Sequence, residues 1–149
     1  MNIVILESQY QRLIETEEEE QEVLEIPNLR IFGKDRGDAW MRLQELLEKR
    51  GNPPYSIGGN LVLFGLPIKS LGNLTSVRGY LDLNNTPIKS LGNLQYVGGD
   101  LYLNNTQIES LGNLKSVGGD LSLRQTQVYK TYTGKKIRQM IKVGGYIYL

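Results

Sequence analysis

Ser-Leu-Gly-Asn-Leu occurs at residues 70–74, 90–94 and 110–114, each copy twenty residues after the last. A chain that repeats itself at a fixed interval folds into units that resemble one another and that lie side by side. In register, 71–90, 91–110 and 111–130 share the pattern L-G-N-L-x-x-V-x-G-x-L-x-L-x-x-T-x-[I/V]-x-x. An earlier, degenerate copy occupies 55–70, and a fragment at 143–149 returns to the same motif.

Within one unit the apolar residues fall at unequal steps, as in Leu91, Leu94, Val97, Leu101, Leu103 and Ile108. No single helix or isolated strand places those positions on one face. A closed coil does, with Leu101-Tyr102-Leu103 alternating as a short strand and Gly92, Gly98 and Gly99 at turns. Each coil is then covered by its neighbours, so a row of coils shares one continuous core that a single coil lacks. The expected fold class is an α/β solenoid of stacked coils with a parallel sheet.

The run L-x-L-x-x-T-x-I resembles the leucine-rich-repeat signature L-x-L-x-x-N-x-L, in a short, twenty-residue bacterial or bacteriophage form. The resemblance covers roughly half the chain and implies a parallel sheet with helical caps. It departs at the family's buried Asn, which is here Thr86, Thr106 and Thr126, with Leu66 in the first copy. A Thr hydroxyl bonds a backbone group but satisfies fewer partners than an amide, so a Thr ladder is expected in place of an Asn ladder. The alternative is another parallel β-solenoid. Gly98-Gly99-Asp100 suggests calcium-binding nonapeptide repeats, but the period of twenty and the missing G-G-x-G-x-D argue against them.

Around the repeats the expected divisions are an N-terminal segment at 1–54, the repeats at 55–130 and a helix with a terminal strand at 131–149. The first segment opens on a short apolar stretch at 2–6, with Ser8 as a helix cap. This opening resembles the starts of some small bacteriophage proteins. Four consecutive glutamates at 17–20 lie in an acidic run, 15–25, that reads as a solvated segment. Residues 23–32 read as an extended piece, kept to an edge or a bend by Pro27. Asp38 then caps a helix over 39–50 with Trp40, Leu43, Leu46 and Leu47 on its apolar face, ended by Gly51 and Pro53-Pro54. Placed just before the first coil, it is expected to cover that coil's open end, with Trp40 as an anchor of the cap.

At the other end the interval from Val117 to Val143 is twenty-six residues, and 133–142 reads as a short inserted helix with Ile137, Met140 and Ile141 on one side. The chain then returns to Gly144-Gly145-Tyr146-Ile147-Tyr148-Leu149, a strand whose edge is open to another chain.

Charge is unevenly spread although the formal total is only +1. Residues 1–36 hold nine acids and four bases, residues 37–149 hold seven and thirteen, and no acid follows Asp120. The basic end suits an acidic protein surface or the chain's own Glu-rich segment; with no recognised motif, nucleic acid is not the expected partner. No apolar run approaches the roughly 18 residues of a membrane span. Neither a membrane nor a secretory signal is expected, and the compartment read from the sequence is cytoplasmic, or the virion or host cytoplasm if the chain is phage-encoded.

Cysteine and histidine are both absent. That removes disulfides, thiol and imidazole catalysis and the usual zinc sites, and no cofactor motif is present. Carboxylates remain, since Asp100 and Asp120 fall in one column of adjacent coils, about 4.8 Å apart in backbone spacing. Such a pair can shift its own ionisation, but with no companion acid, base or phosphate loop the favoured reading is two solvated strand-flanking residues.

With the leucines at 61, 63, 81, 83, 101, 103, 121 and 123 turned inward, the positions beside them face solvent. These vary from coil to coil. Phe64, Tyr80, Asp82, Asp100, Tyr102, Asn104, Asp120, Arg124, Tyr146 and Tyr148 are the candidate binding residues, rich in the aromatic and Arg types that anchor protein interfaces. The expectation is a non-catalytic protein-interaction or assembly module of the bacteriophage virion or tail type. Its partner is another protein or, through the C-terminal edge, a second copy. A soluble protein that modulates a host factor is the alternative, followed by carbohydrate binding and a carboxylate-based enzyme.

Overall fold

Two parallel sheets of very short strands organise the chain, in a computed structural model that describes residues 6–8 and 22–149. The first sheet takes β1 (Leu24–Ile26), β2 (Tyr55–Ile57), β4 (Leu74–Val77), β6 (Tyr96–Val97), β8 (Ser116–Val117) and β10 (Lys142–Val143), in that spatial order. The second takes β3 (Leu61–Val62), β5 (Leu81–Asp82), β7 (Leu101–Tyr102), β9 (Leu121–Ser122) and β11 (Ile147–Tyr148). Each repeat therefore gives one strand to each sheet, and one repeat is one rung.

The register follows the repeat. Val77, Val97, Val117 and Val143 pair in one column, and Leu61, Leu81, Leu101, Leu121 and Ile147 in another. In the second sheet each inward leucine's N–H donates to the next rung, from Leu61 to the Tyr80 carbonyl at 2.9 Å through to Leu121 on Tyr146 at 2.8 Å. The eight strand leucines are wholly buried between the sheets, with Leu71, Leu74, Leu91, Leu94, Ile88 and Ile108 filling the remainder of the core. This is the near-continuous burial that strands of a parallel sheet require.

The Gly-Gly corner is a close approach of backbones. A Cβ on Gly98, Gly118 or Gly144 would overlap the carbonyl oxygen of Arg78, Gly98 or Gly118 on the preceding rung. The buried threonines do not form the expected ladder between rungs: Thr86, Thr106 and Thr126 each donate within their own rung, to the carbonyl three residues earlier, at 2.8, 2.8 and 2.7 Å.

Before the rungs, β1 is the edge of the first sheet, and Leu29–Phe32 form a 3-10 turn instead of continuing the strand. The helix α1 (Arg36–Lys49) starts three residues earlier than expected: Asp35 is its cap, accepting from the Asp38 N–H at 2.9 Å. Ala39, Trp40, Leu43 and Leu47 are buried against the core, while Leu46 is only half-buried. Tyr55, under this helix, is fully enclosed and donates to the Leu71 carbonyl at 2.6 Å; burial pushes its phenol's ionisation upward.

After the last full repeat, two helices fill the longer interval where one was expected. Thr126 caps α2 (Gln127–Thr131) and Thr133 caps α3 (Gly134–Met140). Val128, Ile137 and Ile141 close the core there. Among the described residues no helix is long and apolar enough to cross a membrane. The opening stretch at 2–6, the Ser8 helix and most of the acidic run lie wholly or partly outside the described residues.

Candidate binding surface

The outward positions of the second sheet divide into two kinds, those tied into ladders between rungs and those left over. In the column before the strands, Asn60 accepts from the Tyr80 N–H at 3.0 Å, Asp100 Oδ1 from Asp120 at 2.7 Å and Asp120 Oδ1 from Tyr146 at 2.8 Å. A Cβ on Gly119 or Gly145 would occupy the place of those carboxylate oxygens. The Gly-Gly-Asp motif is thus a device for joining rungs: glycine leaves the room and the carboxylate satisfies the next backbone donor.

In the column after the strands, Asn84 accepts from the Asn104 N–H at 2.8 Å, and Asn104 accepts from the Arg124 N–H at 2.8 Å and the Ser122 hydroxyl at 2.7 Å. Asn85 and Asn105, both at positive φ, join side chain to side chain at 2.7 Å, and Asn93 donates to Asn73 at 3.0 Å. Asp82 accepts from the Asn84 N–H at 3.0 Å. Of the sequence candidates, Asp82, Asp100, Asn104 and Asp120 therefore have structural engagements. An Asn ladder, which was not expected, joins the rungs on the outside, and its signal in the sequence was the Asn-Asn-Thr triplet at 84–86 and 104–106.

What remains is aromatic and cationic. Phe64, Tyr80, Tyr146, Tyr148 and Arg124 are exposed, Tyr146 to 71%. The face gathers them into two groups. Tyr80 and Tyr102 meet edge to face with ring centres 6.3 Å apart, and the Tyr102 hydroxyl donates to Asp100 Oδ2 at 2.8 Å. That bond is the main reason the Tyr102 phenol is pushed up to about 12, with burial and the charges of Asp100, Asp120 and Asp82 adding to it.

The second group pairs Tyr146 with Tyr148 at 6.3 Å and sets the Arg124 guanidinium 5.4 Å from the Tyr148 ring centre. Ser122 lies between the groups and is buried. Phe64 stands apart at the first rung, where Arg36 from α1 holds its carbonyl. Beside the second group a cavity of about 430 Å³ is lined by Asn104, Arg124, Gln125, Tyr129 and Leu149.

No family model, curated protein or solved structure matches this chain. Tyr96, exposed on the first sheet under Lys115 at 5.8 Å, belongs to neither group and was not singled out from the sequence. Among the described residues no group of three or more His, Cys, Asp or Glu is placed to hold a metal ion.

Proposed function

We propose that the chain is a leucine-rich-repeat-like solenoid and that the outer face of its second sheet is a non-catalytic protein-docking surface. One observation carries this reading. The residues that recur from repeat to repeat are consumed by the core and the ladders, while Phe64, Tyr80, Arg124, Tyr146 and Tyr148 differ between rungs and stay exposed. Rigid rings lose little conformational freedom on contact, and here Tyr102 and Tyr148 sit in strands while Phe64, Tyr80, Arg124 and Tyr146 sit in the short connections that flank them, an arrangement that suits a preformed interface.

The role is that of an interaction or assembly module, and a protein with neither His nor Cys has a narrow catalytic repertoire to set against it. The test is photo-crosslinking from positions 80, 102 and 148 in extracts of the source cells, with position 96 on the first sheet as the control. A saturable adduct from the second-sheet positions, reduced in a Tyr80→Ala/Arg124→Ala variant, is the expected result. Equal adducts from position 96, or none that saturates, refute the docking surface.

A further inference from the structure

A second region of chemistry lies at the opposite end from Arg124, where the 3-10 turn and the start of α1 meet the first rung. A cavity of about 550 Å³ is bordered there by Arg30, Lys34 and Arg36, with Asn28, Asn60 and Tyr80 on its remaining sides. Among the described residues, no acidic side chain lines the cavity beside Arg30 and Lys34. Of the two carboxylates at the start of α1, Asp35 caps the helix by accepting from the Asp38 N–H, and Asp38 is not among the residues that line the cavity.

The backbone of the turn and the Arg36 side chain are held in place by their own contacts. Arg42 donates to the Phe32 carbonyl at 3.0 Å, Gly33 closes onto the Arg30 carbonyl at 3.2 Å, and Leu29 is buried beneath the turn. Arg36 is held through Nη1 by the Val62 and Phe64 carbonyls at 3.5 and 3.3 Å, which leaves Nε and Nη2 without a hydrogen-bond partner among the described residues. The side-chain amide of Asn60 is also spare, because only its Oδ1 is engaged, and the Asn28 side chain makes no cap bond. Converging guanidinium, ammonium and amide donors in a concave site favour an oxyanion.

We propose that this cavity binds a small phosphate-bearing ligand, with Arg30, Lys34 and Arg36 taking the phosphate and the Tyr80 ring beside it offering a face to a planar group. The size falls within the roughly 300 to 1,000 Å³ of small-molecule sites. Tyr80 belongs both to this cavity and to the docking face, but Arg30 and Lys34 are not docking residues, so their substitution tests the cavity while leaving Tyr80, Tyr102 and Tyr148 in place. Charge counts along the sequence concealed the site, because three bases within seven residues are averaged into the acidic first 36 residues.

The experiment titrates the isotope-labelled protein with inorganic phosphate, adenosine 5′-monophosphate, adenosine and a Glu-rich heptapeptide, following backbone amides by NMR. Phosphate and the monophosphate should give saturable shifts in residues 28–36, Asn60 and Tyr80, weakening as salt is raised; adenosine should not. An Arg30→Gln/Lys34→Gln variant, with unchanged spectral dispersion, should bind at least tenfold more weakly. Absence of saturable shifts with both phosphates overturns the proposal, as does a double variant that binds like the parent protein. A peptide that saturates the same resonances at lower concentration than the monophosphate also overturns it, by making the cavity a contact for acidic protein segments.

Discussion

Asp100 does two things with two oxygens: Oδ1 accepts from the backbone of the next rung and Oδ2 from the Tyr102 hydroxyl. Only the second depends on the negative charge. Asn60 performs the first task as a neutral amide one column-mate away from Tyr80, so Asp100→Asn should keep the rungs joined. The same substitution should let the Tyr102 phenol fall from about 12 toward its ordinary 10, because the charge-assisted bond that held its proton is gone. In the parent protein the folded value is the raised one, so whatever this bond adds to stability is present below pH 10 and lost between about 10 and 12. A carbon-13 titration of the Tyr102 ring checks this. A midpoint that stays near 12 in Asp100→Asn would place the cause in burial instead.

At the scale of elements, the sequence was legible where a side chain's burial repeated and illegible where the backbone alone made the structure. The L-x-L strands of the second sheet, the α1 cap and the α3 insertion were all marked by apolar spacing. The first sheet was only partly so: β1 falls in the stretch expected to be extended, but β6, β8 and β10 are two-residue strands that present Tyr96, Ser116 or Lys142 beside a single Val and carry no alternation to read. The helix α2 buries only Val128 and was missed for the same reason. Among the candidate site residues, exposure followed from alternation, but the bonds that occupy Asp100, Asn104 and Asp120 run between rungs twenty residues apart and depended on knowing which sides of the glycines were free. The alternation itself gives the sharpest stability contrast. Leu101→Ala should cost about 2 to 5 kcal/mol through an internal cavity, whereas Tyr102→Ala, on the half-buried outer side, should cost much less. Denaturant titration of both variants decides it, and equal large losses would contradict the observed register.

Over the whole molecule, a stack of rungs must end twice, and arginine assists at both ends. At the first rung Arg36 takes the Val62 and Phe64 carbonyls of the second sheet's edge strand; at the last, Arg138 takes the Val143 and Gly145 carbonyls at 2.9 and 2.6 Å. These last two occupy the positions that Val117 and Gly119 offer one rung earlier, where the N–H groups of Gly144 and Gly145 fill them. Arg138 thus supplies from α3 the pair of donors that a further rung would supply, and an unpaired edge is what recruits other chains. Its removal exposes two strong acceptors beside the already accessible Tyr146 and Met140. Arg138→Ala should therefore lower stability by about 1 kcal/mol and introduce concentration-dependent association in sedimentation velocity. Arg138→Lys should only partly restore the parent behaviour, because one ammonium group does not reproduce the planar two-pronged geometry. If Arg138→Ala sediments as the parent protein does across the same concentrations and unfolds at the same denaturant midpoint, the two bonds are not guarding that edge, and the burial of Ile137 and Ile141 by itself closes that end of the core.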